Sequence, residues 1–161
     1  MKIPYRVGIG YDTHQLKPGG PLRLGGIDIP AEVELVGHSD ADVLVHAIID
    51  AFLGGASLGD IGDHFPPSEE KYRGIDSMEL LDETLKRIYA AGFDPINVDA
   101  TIIAEKPKLG PYKRQIADCL ADRMKLPRDC VNIKATTNEK MGFLGREEGI
   151  VAHAVALLVR K

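Results

Sequence analysis

Asp40-Ala41-Asp42-Val43-Leu44-Val45-His46-Ala47-Ile48-Ile49-Asp50-Ala51-Phe52, residues 40–52 of the 161-residue chain, is the stretch on which the fold turns. Its apolar residues Val43, Leu44, Ala47, Ile48 and Ala51 recur at helical spacing, and Gly54-Gly55 ends the run. Residues 42, 46 and 50 share the opposite face. A face that merely meets solvent usually carries Lys and Glu, whereas this one sets an imidazole between two short carboxylates.

Working outward from this helix, strands and helices alternate. Upstream, Tyr5–Tyr11 reads as a strand, and a Gly/Pro-rich loop through Gly19-Gly20-Pro21 ends the opening segment. Leu22–Leu24 and Ile27–Ile29 follow as two short extended pieces around Gly25-Gly26, closed by Pro30. Downstream, a turn-rich loop carries Asp60-Ile61-Gly62 and Phe65-Pro66-Pro67 and suggests a functional surface. Asp76 or Ser77 can cap a second helix with Leu80, Leu81, Leu85, Ile88 and Tyr89 on its apolar face and Gly92 as its stop. Val98–Ala104 and Val131–Thr136 read as strands flanking a third helix over Pro111–Met124. Ile150–Val159 is an apolar run suited to a buried strand.

These elements predict one α+β domain over residues 1–161, with a mixed four-stranded sheet covered by helices on one side. The other face then needs a partner, so a homo-oligomer is expected. Hydrophobic residues make up 44% and charged residues 27%, as in ordinary globular domains, and no apolar run approaches the roughly 20 residues of a membrane span. The segment Met1–Arg6 is followed by no long apolar stretch, so no leader is visible and a cytoplasmic location is expected. Cys119 and Cys130 read as reduced structural thiols. A net charge of -4 provides no basic footprint for nucleic acid or an anionic membrane, although metal ions and backbone amides can still hold phosphates on an acidic protein.

Three groups of residues carry chemistry. In Asp12-Thr13-His14, after a strand, alternation turns Asp12 and His14 to one side and Thr13 away. With His46 they make a one-carboxylate, two-imidazole set suited to zinc with a position left open for substrate. Asp42 and Asp50 are candidates to accept from the remaining imidazole N–H or to position a neighbouring residue, or else to cap the helix or lie solvated. Thr137 and Glu139, in Ala135-Thr136-Thr137-Asn138-Glu139-Lys140, can serve a second, oxygen-preferring ion such as Mg²⁺. Neither GxGxxG nor GxxxxGK[ST] is present.

Taken together, Asp12-Thr13-His14, His38-Ser39-Asp40-Ala41-Asp42 with His46, Leu58-Gly59-Asp60-Ile61-Gly62, Ala135 through Lys140, and Gly142-Phe143-Leu144-Gly145-Arg146 resemble the 2-C-methyl-D-erythritol 2,4-cyclodiphosphate synthases of the non-mevalonate isoprenoid pathway. The resemblance implies conversion of 4-diphosphocytidyl-2-C-methyl-D-erythritol 2-phosphate to the cyclic diphosphate and CMP, in a homotrimer with active sites between subunits. It implies zinc on Asp12, His14 and His46, and Mg²⁺ or Mn²⁺ on Glu139. His38 and Thr137 match the positions that stabilise the transition state. Asp12, His14, Ser39, Asp60, Ile61, Gly62 and Phe65 match the side that receives the phosphates and the methylerythritol. The stretch Ala104 to Gly110, with Ala104, Lys106, Pro107, Lys108, Leu109 and Gly110 as its contacts, and Ala135, Thr136, Asn138, Phe143 and Arg146 match the cytidine and phosphate side. His153 departs from the Glu that some members carry near the trimer axis. Two other readings of these residues stay open: a metal-dependent phosphoesterase, and a trimeric protein that binds an isoprenoid phosphate and uses zinc structurally.

Overall fold

The opening strand is longer than its apolar core suggests: in the computed structural model, which describes residues 3–161, β1 runs from Tyr5 to Pro18. Met1 and Lys2, part of the N-terminal segment read above for a leader, lie outside the described residues. Gly8 and Gly10 explain how β1 meets the helix α1 (Val43–Gly55). A Cβ on Gly8 would lie 1.8 Å from the Ala51 carbonyl oxygen, and one on Gly10 would lie 1.7 Å from that of Ala47. The absent side chains let the helix backbone settle directly on the strand, far closer than any other residue permits. The glycines that fail to make a dinucleotide motif thus have a packing role.

The main sheet has five strands, not the expected four, in the order β4-β1-β7-β5-β6. The extra strand, β4 (Val33–Val36), pairs antiparallel with Gln15–Pro18 at the far end of β1. Four residues are too few for alternation to declare a strand, and its pairing depends on a neighbour brought in by the fold. The strand β7 (Gly149–Arg160) lies antiparallel between β1 and β5 (Phe93–Ile103). β5 begins five residues earlier than its alternation indicates, because Gly92 at a φ of +83° turns the chain straight out of α3 (Ser77–Ala90). A register shift between Pro95 and Asn97 takes up the proline, which has no N–H to donate. β6 (Val131–Thr136) runs parallel to β5 after a crossover through α4 (Lys113–Met124), so the sheet is mixed as expected. Pro111, expected to open that helix, sits in a separate 3₁₀ turn at Gly110–Tyr112. The two short strands β2 (Leu22–Leu24) and β3 (Ile27–Ile29) pair as the glycine turn predicts.

The helices α1, α3 and α4 cover one face of the sheet, and the core lies between them, with Leu44, Ile48, Phe52, Leu81, Ile102 and Ile116 fully buried. α1 is the central element: nearly every residue from Val43 to Leu53 is buried, including His46. Its polar face therefore meets an internal site and not solvent. The opposite sheet face exposes Tyr5, Val7, Ile9 and Tyr11 on β1 and Val155 on β7. Both cysteines are free, and among the described residues no helix is long and apolar enough to cross a membrane.

Candidate active site

Asp12 and His14 project from the same side of β1, two residues beyond Gly10, while Thr13 is exposed on the other. The close seat of α1 on Gly10 carries His46 to them. The His46 Nδ1 atom lies 3.1 Å from Asp12 Oδ2 and 3.2 Å from His14 Nε2, and His14 Nε2 is 2.9 Å from the same carboxylate oxygen. The three donor atoms lie within 4.8 Å of one another. On the far side of its ring, His14 Nδ1 is 2.8 Å from the Val36 carbonyl in β4. A carbonyl only accepts, so Nδ1 carries the hydrogen and Nε2 is left to face Asp12 and His46. One carboxylate and two imidazoles converging on a single point fit a divalent ion of the zinc type.

The electrostatics agree with that fit. Burial alone would raise the Asp12 pKa, but hydrogen bonds and charge from His14 and His46 outweigh it and hold the carboxyl at about 2. Burial works against protonation of His14, yet the Asp12 carboxylate raises its pKa above the ordinary histidine value.

A cavity of about 200 Å³ opens over this cluster, lined by Asp12, His14, His38, Ser39, His46, Ile61, Gly62 and Phe65, with Pro67, Tyr72 and Leu80. His38 lines the cavity, and its Nε2 is buried without a hydrogen-bond partner among the described residues. Ile61, Gly62 and Phe65 come from the short helix α2 (Ile61–His64) and its end, and Asp60 forms the cap, accepting from the Asp63 N–H at 3.0 Å. Asp60 therefore shapes this wall without lining the cavity.

A second cavity, of about 320 Å³, lies at the carboxyl ends of the parallel strands β5 and β6, where ligand crevices of such sheets form. Ala104, Pro107, Lys108, Leu109, Gly110, Ala135, Thr136 and Thr137 line it, joined by Glu105, Pro111 and Lys113. The other residues assigned to this side lie outside its lining. Lys106 pairs with Glu147, Arg146 pairs with Glu148, and Phe143 is exposed on the short helix α5 (Gly142–Gly145). Asn138 and the exposed Glu139 occupy the adjoining turn.

Neither Asp42 nor Asp50 accepts from a histidine, and each positions neighbouring backbone instead. Asp42 is fully buried and accepts from the N–H groups of Gly25 (2.9 Å), Gly26 (2.8 Å) and Val45 (3.1 Å). It caps α1 and clamps the β2–β3 turn to it. Asp50 accepts from the Ile61 N–H at 2.7 Å and so anchors α2. Sequence reasoning missed Ser77 as more than a cap, and it took in Glu105 only as part of the stretch Ala104 to Gly110, with no role of its own. Ser77 Oγ lies 2.8 Å from His46 Nε2, and Glu105 Oε1 accepts from the N–H groups of Asn138 (3.1 Å) and Lys140 (3.0 Å). Both contacts join segments 31 or more residues apart, so no local spacing could announce them.

The fold and its cavities define a small α+β protein with a metal-type Asp/His/His centre and a separate ligand crevice above a parallel strand pair. The chain belongs to the YgbB family, which it matches over residues 5–159. It is similar, at 53% identity over 160 residues and 99% of both chains, to the 2-C-methyl-D-erythritol 2,4-cyclodiphosphate synthase of Bordetella bronchiseptica. Its structure is similar to that of the bifunctional IspDF from Campylobacter jejuni, with a TM-score of 0.95 and 38% identity. That match covers 99% of this chain and 43% of the longer bifunctional one. IspF of Plasmodium falciparum, solved as a CDP complex, matches with a TM-score of 0.86 and 31% identity over 100% of this chain and 99% of its own.

Proposed function

We propose that this protein converts 4-diphosphocytidyl-2-C-methyl-D-erythritol 2-phosphate to 2-C-methyl-D-erythritol 2,4-cyclodiphosphate and CMP, acting in the cytoplasm as a phosphorus-oxygen lyase. The observation that carries this reading is the cavity in which Asp12, His14 and His46 converge, with His38 and Ser39 in its lining. The CDP bound to the Plasmodium falciparum relative supports a cytidine nucleotide for the second cavity.

In this reaction an oxygen of the 2-phosphate bonds to the β-phosphorus while the bond from that phosphorus to the bridging oxygen breaks, and CMP leaves with the electron pair. Nucleophile and electrophile share one molecule, so the protein has to fold the substrate and balance charge, and no side-chain nucleophile is required. Asp12, His14 and His46 would hold zinc, which would supply a Lewis acid toward a phosphate oxygen. His38 donates a hydrogen bond to the phosphate that enters the cavity, and the Thr137 hydroxyl does the same from the nucleotide side. Lys106 and Lys108 add local positive charge, and Glu139 offers a carboxylate for Mg²⁺ or Mn²⁺. The apolar outer sheet face of Val7, Ile9, Tyr11 and Val155 supports a homotrimer in which the metal cavity of one subunit meets the nucleotide cavity of the next.

Incubation of the protein with the cytidyl substrate, Zn²⁺ and Mg²⁺, followed by chromatography, is expected to yield CMP and the cyclic diphosphate in equal amounts. Inorganic phosphate without cyclic product would reject the synthase in favour of a phosphoesterase. His46→Ala is expected to remain folded and to lose more than the roughly 100-fold that marks the upper end for a merely supporting residue.

A further inference from the structure

The two metal-facing histidines are held from behind in different ways. His14 donates to a backbone carbonyl, which can only accept. Behind His46 stands a hydroxyl, which can do either, so the direction of its hydrogen bond has to be set by something else. Ser77, at the start of α3 and fully buried, donates its hydroxyl hydrogen to Asp40 Oδ1. Asp40 is well placed to keep it: Oδ1 also accepts from the Asp42 N–H at 3.1 Å, and Oδ2 accepts from the Ser77 N–H at 3.0 Å with Arg23 Nε 3.7 Å away. Both carboxylate oxygens are thus turned entirely to accepting.

A serine hydroxyl has one hydrogen, and this one is committed to Asp40. The Ser77 oxygen therefore presents a lone pair to His46 Nε2 at 2.8 Å. A bare Nε2 at that distance would set two lone pairs against each other, and the contact is favourable only if Nε2 carries a hydrogen. The Ser39 hydroxyl, 3.1 Å from the same nitrogen, accepts from the Ala41 N–H and offers a second, longer acceptor. We infer that Asp40 and Ser77 are positioning residues: they keep a hydrogen on His46 Nε2, so that Nδ1 is the nitrogen turned to the point shared with Asp12 and His14. Neither touches substrate. The inference rests on the proposed metal centre for its purpose. Without metal, Nδ1 faces Asp12 Oδ2 at 3.1 Å and can carry a hydrogen of its own, so the measurement on the metal-free protein turns on Nε2 alone.

Long-range ¹H–¹⁵N correlation of the histidine rings in the metal-free protein is the first test. His46 Nε2 is expected to resonate as a hydrogen-bearing nitrogen, and a bare Nε2 would overturn the inference. In Ser77→Ala the Nε2 resonance is expected to move toward an average of two tautomers. Zinc affinity, read by competition with a chromogenic chelator, is expected to fall by about 10- to 100-fold, the range for outer hydrogen-bonding partners of metal ligands. Ser39→Ala is expected to lose less. An affinity in Ser77→Ala within about twofold of the parent, or a larger loss in Ser39→Ala, overturns the inference. If Ser77→Ala does not fold, the nitrogen spectrum of the unaltered protein decides. A parent that binds no zinc refutes the metal centre, whereas the ring-nitrogen assignment still stands or falls on its own spectrum.

Discussion

The two cavities of this chain are built by opposite means. The metal-facing cavity draws its donors from the middle of β1 and α1, elements pressed together through Gly8 and Gly10. The other draws on the turns that follow β5 and β6, with Glu139 exposed and both Glu139 and Lys140 in left-handed backbone. A metal centre tolerates little error in donor position, so it gains from elements whose geometry the whole core enforces. A nucleotide crevice presents backbone and side-chain groups from turns, which can adapt as the ligand enters.

The sharpest way to break this contrast is to separate α1 from β1. Gly10→Ala places a methyl 1.7 Å from the Ala47 oxygen, a clash only backbone movement relieves. The expected cost is about 3 kcal/mol in denaturant unfolding, with zinc affinity falling in step. Normal zinc affinity in a destabilised Gly10→Ala would show that the donors are not positioned by this contact. Asp42→Ala is expected to be the next most harmful. It strands the buried N–H groups of Gly25 and Val45, with that of Gly26 beside them, at about 2 kcal/mol. Zinc affinity of the folded fraction should hold, since Asp42 touches none of the three donors.

How far this was legible in the sequence divides along the same line. Asp12 and His14 on one side of a strand, and His46 on the polar stripe of a helix, follow from local periodicity, and the structure brings all three together. The alternation of strands and helices, the β2–β3 hairpin and the ends of β6 were equally plain. Illegible were the features whose cause lies elsewhere in the chain. β4 exists because β1 continues far enough to pair with it. Asp42 sits on the same stripe as His46, but the turn at Gly25-Gly26 claims it, and no spacing within the helix records that turn. Around the second cavity only Thr137 and Glu139 were singled out from the residues themselves, and the rest was readable only by resemblance, because turn residues carry no period.

Titration bears on the cavity that holds Asp12 and His14, whose pKa values move in opposite directions. Asp12, at about 2 against an ordinary 3.8, adds stability that is present above the unfolded value and lost as pH falls through about 2. His14 has the opposite sign: its pKa is raised, so its contribution is present below the unfolded value and lost as pH rises through the folded one. Zinc must displace the His14 hydrogen on Nε2, while Asp12 stays ionised throughout. Zinc affinity is therefore expected to fall by about tenfold, or 1.4 kcal/mol, per pH unit below the raised His14 value for each hydrogen displaced. A flat profile across the histidine range would remove the proposed competition.

The smallest expected effect lies at the other cavity and probes whether its turn is free or clamped. Glu139 and Lys140 have φ values of +52° and +59°, and each left-handed residue costs about 1–2 kcal/mol. Glu105 offsets this by taking the N–H groups on both sides of Glu139 with one carboxylate oxygen. The site is partly open, so water replaces much of what Glu105→Ala removes, and the net loss should be about 1 kcal/mol. That corresponds to about fivefold weaker CDP binding in the presence of Mg²⁺ by calorimetry, with little change in unfolding. Glu105→Gln keeps an amide oxygen to accept both N–H groups and should recover most of the affinity. Unchanged CDP affinity in Glu105→Ala would mean that the turn holds its shape unaided. A loss of stability as large as that of Asp42→Ala would mean that this cavity, too, is set by the core, and the contrast between the two regions would disappear.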